Sequence, residues 1–135
     1  MRGGCQNMVE VVNIKTCKDV GRPGDVYIGR KNVNFSESKW ANPFPIGRCI
    51  VNDEEEHFNR ETCILRFMRY IDNGEIVNVN GKIWRGDLAK QSLHELKSAK
   101  RLCCWCANLP CHGDYLKKLI ISMQDQITLS DCGVI

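Results

Sequence analysis

The fold is decided by residues 101–116, RLCCWCANLPCHGDYL. The first six residues form a short apolar run, which is typical of a buried strand. Further along, residues 112–126 place apolar side chains on one helical face. These side chains are Leu116, Leu119, Ile120 and Met123. The pattern therefore predicts a strand at 101–106, joined to a helix by the turn NLPCHGD.

Two further strands are predicted near the amino terminus. Residues 8–14 and 25–29 are short, β-branched and bounded by polar or Gly/Pro turns, as strands usually are. Helical segments separate them from the strand at 101–106, which favours a parallel or mixed sheet with helices packed over it. We therefore expect an α/β fold over residues 1–135, a single small three-layer domain with a short parallel or mixed sheet flanked by helices in a Rossmann-like arrangement.

The middle of the chain contains the remaining elements. Residues 30–50 show little periodicity and predict a long ordered loop, which is uncommon in a small domain unless it is functional. Asn52 or Asp53 is predicted to cap a helix whose first turn holds three glutamates and whose end lies near Gly74. The glutamates are Glu54, Glu55 and Glu56.

A hairpin and a short helix are predicted to follow. Asn80-Gly81, between residues 76–79 and 82–85, is the dipeptide that best fits a type I′ turn. A helix is then predicted at about 87–99 with three leucines facing inward. They are Leu88, Leu93 and Leu96.

The composition is that of an ordinary globular protein. The chain has 135 residues, of which 43% are hydrophobic and 26% charged, which excludes a disordered or fibrous protein. Its net charge of +3 allows a nucleic acid or nucleotide partner without indicating one. No apolar run approaches the roughly 20 residues of a membrane-spanning helix, so no membrane partner is expected.

The nine cysteines are the unusual feature of the composition. Their odd number would leave one unpaired in a disulfide framework, and residues 1–30 do not resemble a secretory signal. The sequence therefore predicts a reducing compartment, the cytoplasm.

Two segments concentrate residues that a hydrophobic core does not need, 27–44 and 103–114. In an open α/β sheet both would leave the carboxyl end of a strand, where ligands usually bind. Arg30 follows a strand and Gly29, a position from which its guanidinium can bind a phosphate or carboxylate. The alternative is that Arg30 pairs with an acidic side chain and fixes the loop.

An aromatic loop adds candidates for recognition of a base. Trp40 is suited to stacking, and Asn42 to reading polar edges. Equally, Trp40 and Phe44 could fold the long loop onto the core, which is the commoner role of such residues.

The predicted helix start, CHGD, offers candidates for catalysis. Cys111 or His112 would lie where backbone N–H groups bind an anion or lower a thiol pKa. Asp114 would either accept a hydrogen bond from a free backbone N–H or act as a general acid or base, as could His112. Gly113 permits close approach of a ligand or of a neighbouring strand. Cys111 beside His112 also suggests a nucleophile and its base, although sequence neighbours seldom have the required geometry.

Four soft ligands within nine residues suggest zinc as an alternative. They are Cys104, Cys106, Cys111 and His112. The strong zinc signature has two separated pairs such as C-x2-C, whereas this segment has C-x-C on a predicted strand. Buried, inert thiols are the leading alternative, and no other cofactor is expected.

The motifs occur in a specific order along the chain. VVN (11–13), YIGR (27–30) and W-x-NPF (40–44) precede a helix with Arg60 and Tyr70, and L-x-C-W-C-x3-P-C-H-G-D-x-L (102–116) follows it. This order, over about residues 9–120, resembles the phage- and bacteria-associated domain of unknown function 4326 family. Ala41 replaces the glycine that usually precedes NPF in that family.

The resemblance implies a small cytosolic α/β domain, often encoded by viruses. It also implies that the signature residues of the two segments belong to one site, without implying a reaction. These residues are Arg30, Trp40, Asn42, Cys106, Cys111, His112 and Asp114.

The leading hypothesis is a phage-type protein that binds a nucleotide or nucleoside derivative at the carboxyl ends of the strands. If it is an enzyme, we expect a hydrolase or transferase that acts on a glycosidic or phosphoryl group. One alternative is a non-enzymatic viral protein that sequesters a host signalling nucleotide or defence protein in the host cytoplasm. Another is a zinc-stabilised module that binds nucleic acid or protein.

Overall fold

Two β-sheets and three α-helices are found in the part of the chain that the computed structural model describes, residues 9–105 and 109–133. The strands are β1 (Glu10–Asn13), β2 (Asp25–Tyr27), β3 (Gly47–Val51), β4 (Glu54–Phe58), β5 (Ile76–Val79), β6 (Lys82–Arg85) and β7 (Arg101–Cys104). The helices are α1 (Arg60–Asp72), α2 (Gly86–Gln91) and α3 (His112–Gly133), with a 3-10 helix at Leu93–Leu96. These elements confirm the mixed α/β class.

The first sheet is parallel, with β7 between β1 and β2. Cys103 lies opposite both Val12 of β1 and Tyr27 of β2. All four residues of β7 are buried, as expected for the central strand of a parallel sheet. The strands predicted at 8–14, 25–29 and 101–106 are confirmed with shorter bounds, since β7 ends at Cys104 and Trp105 already lies outside it.

A buried ion pair joins the amino-terminal ends of β7 and β2. Arg101 lies opposite Asp25, and its Nε and Nη2 each donate to that carboxylate at 2.8 Å. The side chains are only 9% and 5% exposed. These hydrogen bonds lower the pKa of Asp25, so the pair remains ionised at neutral pH.

The second sheet is antiparallel, in the order β4-β3-β5-β6, and the sequence predicted only its β5–β6 hairpin. The helix cap predicted at Asn52 or Asp53 is wrong, because these residues form the two-residue turn between β3 and β4. Their φ angles of 51° and 70° are those of a type I′ turn, which Asn and Asp tolerate. The three glutamates that follow lie on an exposed strand rather than in a helix.

Helix α1 begins later, at Arg60, and has a full capping box. Asn59 Oδ1 accepts from the Thr62 amide at 2.8 Å, and Thr62 Oγ1 accepts from the Asn59 amide at 2.9 Å. The helix ends where predicted, because Gly74 adopts a φ of +58° just after the final turn.

The Asn80-Gly81 hairpin is confirmed by the pairing of β5 with β6. The helix predicted at 87–99 is shorter, since α2 ends at Gln91 and is followed by the 3-10 helix. Because the helix type changes, the three leucines predicted to face inward do not lie on one continuous helical face. As a result, Leu88 is 45% exposed, whereas Leu96 is fully buried.

One hydrophobic core contains residues from both sheets. Val9, Ile28 and Leu102 belong to the parallel side, and Val51 and Val77 to the antiparallel side. The apolar face predicted for α3 is confirmed. Leu116 and Ile120 are fully buried, and Leu119 and Met123 pack against the core.

The loop predicted at 30–50 is irregular up to residue 46, and the last residues of that segment belong to β3. In the described part of the chain, no helix is both long enough and apolar enough to cross a membrane.

Candidate functional site

A cavity of about 390 Å³ lies at the carboxyl ends of β2 and β7, where α3 begins. Its walls come from the loop after β2, from the first turn of α1, from Trp105 and from residues 110–112. The two segments that the sequence singled out therefore meet across one cavity. This edge of a parallel sheet is where ligands bind in many α/β proteins.

Arg30 reaches the cavity from the loop, immediately after the buried Gly29. Its Nε donates to the Asn42 carbonyl at 2.8 Å, which holds the guanidinium in place. In residues 9–105 and 109–124, no carboxylate pairs with Arg30. A backbone oxygen therefore holds Arg30, and no described carboxylate neutralises its positive charge.

Asn42 also lines the cavity, but its side-chain amide is already engaged. Its Oδ1 accepts from the Phe44 amide at 2.9 Å, and its Nδ2 donates to Cys63 Sγ at 3.1 Å. Asn42 thus shapes the loop and positions Arg30 through its carbonyl, rather than offering a free polar edge.

Trp40 lies in the core, where its indole N–H donates to the Ala89 carbonyl at 3.2 Å. The tryptophan that lines the cavity is instead Trp105, which is half-buried. Its Nε1 donates to the Tyr27 hydroxyl at 3.0 Å. Sequence reasoning missed Trp105 because it belongs to an apolar run, although its place just after β7 is a usable signal.

His112, the first residue of α3, has one ring nitrogen fixed by the backbone. Its Nε2 lies 2.7 Å from the Ile28 carbonyl, which can only accept, so Nε2 carries the proton. Burial, reinforced by the charge of Arg30, lowers the pKa of His112 to about 4. The ring is therefore neutral at pH 7 and its Nδ1 is a hydrogen-bond acceptor.

Cys111 lines the cavity as a thiol. Its Sγ lies 3.6 Å from Cys104 Sγ, and this hydrogen bond together with burial raises its pKa. A thiolate nucleophile needs the opposite shift. Cys111 is thus a buried structural thiol that contacts Cys104, rather than an activated nucleophile.

Three amides at the start of α3 already have partners. The Cys111 amide donates to Asp114 Oδ2 at 3.1 Å, the Gly113 amide to Cys111 Sγ at 3.3 Å, and the Asp114 amide to the Cys111 carbonyl at 3.1 Å. Asp114 is exposed, caps the helix and does not line the cavity.

Gly113 is required by close packing. A Cβ at this position would lie 2.9 Å from Ile28 Cδ1 and 3.0 Å from Val11 Cγ1. The structure therefore places Gly113 against neighbouring side chains of the parallel sheet, outside the cavity.

The candidate zinc ligands are partly described. Cys106 lies outside the described residues, and the Nε2 of His112 is bonded to a backbone carbonyl. Within the described residues, no group of three or more His, Cys, Asp or Glu is arranged to hold a metal ion.

Two further cations complete the cavity. Arg60, in the first turn of α1, donates from Nη1 to the Pro110 carbonyl at 3.2 Å, and Lys31 follows Arg30 in the loop. Arg60 entered the sequence reasoning only through the family resemblance. None of the described residues that line the cavity is an Asp or Glu.

Comparison with known proteins gives a family but no activity. The model of a family described as "Domain of unknown function (DUF4326)" matches residues 12–122. Searches of the curated proteins and of the solved structures found no match to the chain. The family match covers most of the sequence, including every described residue that lines the cavity. The chain therefore belongs to the DUF4326 family.

Proposed function

We propose that this protein binds a nucleotide in the cavity between the loop after β2 and the start of α3. One observation carries the proposal: the cavity is lined by Arg30, Lys31 and Arg60 and by no described carboxylate. Three cations without a carboxylate partner in the described part of the chain favour an anionic ligand, and guanidinium groups suit phosphate oxygens in particular.

The two arginines are pre-organised for this role. Arg30 is tied to the Asn42 carbonyl and Arg60 to the Pro110 carbonyl, each through one nitrogen. A guanidinium has five N–H donors, so each arginine retains others for a phosphate. Because both side chains are already positioned, little rotamer entropy would be lost on binding.

The rest of the cavity supports a base and a sugar. Trp105 lines the cavity, and in this proposal a base stacks on its ring, while Phe44, Ile46 and Ile64 add apolar walls. His112 Nδ1 would accept a hydrogen bond from a ligand hydroxyl or amine. In this proposal Arg30 and Arg60 hold the phosphate, in place of the amides at the start of α3.

A binding role is better supported than catalysis. The raised pKa of Cys111 disfavours a nucleophilic thiolate, and Asp114 caps a helix outside the cavity. His112 is the one remaining member of the expected catalytic set that is placed to reach a ligand. Hydrolysis, transfer, sequestration of a host nucleotide and the Rossmann-like layering remain predictions.

Isothermal titration calorimetry with the four ribonucleoside 5′-monophosphates tests the proposal. Loss of one charge-assisted hydrogen bond costs about 1.5–3 kcal/mol, so Arg30→Gln should weaken binding roughly tenfold to a hundredfold. Arg48→Gln is the matched control, because Arg48 is 67% exposed, pairs with Glu55 and does not line the cavity. Failure of the wild-type protein to bind any of the four nucleotides, or equal affinities for Arg30→Gln and wild type, would refute the proposal.

The same complexes separate binding from turnover. After incubation, the protein is denatured and the nucleotide is analysed by chromatography. Unchanged nucleotide supports a binding role, whereas a released base or phosphate would show an enzyme and contradict it.

A further inference from the structure

We infer that the cavity takes a nucleoside monophosphate bound without a divalent metal, rather than a magnesium–triphosphate or a dinucleotide. This inference rests on the proposed nucleotide-binding function and narrows its ligand. Three properties of the cavity carry it: the chemistry of its polar groups, its balance of charge and its size.

The polar groups of the cavity are unsuited to magnesium. Protein sites for Mg²⁺-bound triphosphates usually supply one or two carboxylates to the metal. The described lining residues contain no Asp or Glu, and three of them are cations that repel a divalent metal. The neutral His112 prefers softer metals, and one of its nitrogens is already bonded to the Ile28 carbonyl.

The charge of the cavity matches a single phosphate group. A phosphomonoester carries about −1.5 to −2 charges at pH 7. The guanidinium groups of Arg30 and Arg60 with the ammonium of Lys31 can neutralise that charge directly. A metal ion is therefore unnecessary for charge compensation.

The size of the cavity fits one nucleoside. Its volume of about 390 Å³ is near the lower end of the usual range for ligand sites, roughly 300–1,000 Å³. Of the two aromatic walls, Trp105 is half-buried and is where this proposal places one base, whereas Phe44 is only 1% exposed and forms part of the core. A dinucleotide would need a second stacking position that the described walls do not provide.

Calorimetry with adenosine and guanosine 5′-mono- and triphosphates, each in EDTA and in excess Mg²⁺, tests the inference. We expect the monophosphate to bind equally well under both conditions, and the magnesium–triphosphate to bind at least tenfold more weakly. Nicotinamide adenine dinucleotide should also bind at least tenfold more weakly. Tighter binding of the magnesium–triphosphate or the dinucleotide, or a monophosphate affinity that requires Mg²⁺, would overturn the inference while leaving nucleotide binding intact.

A pair of variants tests the role of the missing carboxylate. Asn32 lines the cavity, and its Oδ1 accepts from two backbone amides, which an aspartate oxygen can also do. Asn32→Asp should therefore keep the loop structure while weakening metal-free monophosphate binding roughly fivefold or more by charge repulsion. Asn34→Asp adds the same charge at an exposed position two residues away that does not line the cavity, and should have less effect.

These outcomes distinguish nucleotide binding in general from metal-free binding of a monophosphate. If no nucleotide binds under any condition, the proposed function and the inference both fail. If Asn32→Asp gains Mg²⁺-dependent triphosphate binding while wild type does not show it, the absence of a carboxylate is confirmed as the cause of metal-free binding. If Asn32→Asp and Asn34→Asp have equal effects on the monophosphate, the inference fails.

Discussion

The buried imidazole of His112 should make the stability of the protein depend on pH in a defined window. Its pKa in the folded protein is about 4, against a usual value of 6.5. Burial is the main cause and the charge of Arg30 a further one, opposed by the Ile28 carbonyl and Asp114. Between these two pKa values the unfolded chain binds more protons than the folded one, so stability is complete above pH 6.5 and is lost as the pH falls towards 4.

The size of this loss follows from the two pKa values. Lowering the pH from 7 to 4.5 should reduce the free energy of unfolding by about 2 kcal/mol through His112 alone. Carboxyl groups also titrate near the lower end of this range, so the contribution of His112 is measured as a difference between variants. His112→Gln removes the titration and can still donate an N–H to the Ile28 carbonyl.

Urea unfolding of wild type and His112→Gln at pH 7 and 4.5 is the assay. We expect the wild type to lose about 2 kcal/mol more than the variant over this interval. The variant also loses the edge-to-face contact with Phe67, at a ring separation of 5.0 Å, but this loss does not vary with pH. His57→Gln is the control, since His57 is exposed on β4, and it should follow the wild-type profile.

If wild type and His112→Gln lost the same free energy of unfolding between pH 7 and 4.5, a lowered pKa of His112 would be refuted. An independent measurement on the intact protein is the proton NMR titration of the imidazole. A His112 resonance that titrates near pH 6.5 in the folded protein would contradict burial in the neutral form.

Two other substitutions test the packing that positions the cavity. Asp25→Asn breaks the buried pair with Arg101 and leaves its guanidinium only the more exposed Asp19 carboxylate, at 3.0 Å, so it should destabilise the protein by about 2 kcal/mol in urea unfolding. A loss below about 1 kcal/mol would contradict the buried pair. Gly113→Ala should lower the thermal midpoint, because overpacking costs about 1–3 kcal/mol against a gain of at most about 1 kcal/mol in helix propensity. A raised midpoint would show that neighbouring side chains move aside.

The antiparallel sheet shows how local signals can mislead. Asn52-Asp53 followed by three glutamates fits a helix start as well as a type I′ turn, and local preferences alone do not separate the two. The turn forms rather than the helix start because Gly47–Val51 pairs with Glu54–Phe58, and this hairpin places Cys49 and Val51 in the core. The correct helix start, Asn59 with Thr62, was less visible, since both members of the box have short side chains.

The sequence predicted which two segments form the site but not which side chains in them contact a ligand. Their position at strand carboxyl ends was predictable because it depends on the order of strands and helices. The roles within them were not, since Trp40 and Trp105 are equally plausible stacking residues in sequence. Only the hydrogen bond of Trp40 to Ala89 and the half-burial of Trp105 separate them.

The sequence by itself determined the α/β class, the buried strand at its centre, the amphipathic face of α3 and the two segments that meet at the cavity. Apolar periodicity and turn residues encode these features locally. The tertiary structure alone decided which side chains remain available to a ligand. Asn42, Cys111 and Asp114 have their polar groups engaged by nearby atoms, whereas Arg30 and Arg60 have no carboxylate partner among the described side chains. The hydrogen bond of Asn42 to Cys63 and the burial of Cys111 arise from contacts between distant segments, so no single stretch of sequence specifies them.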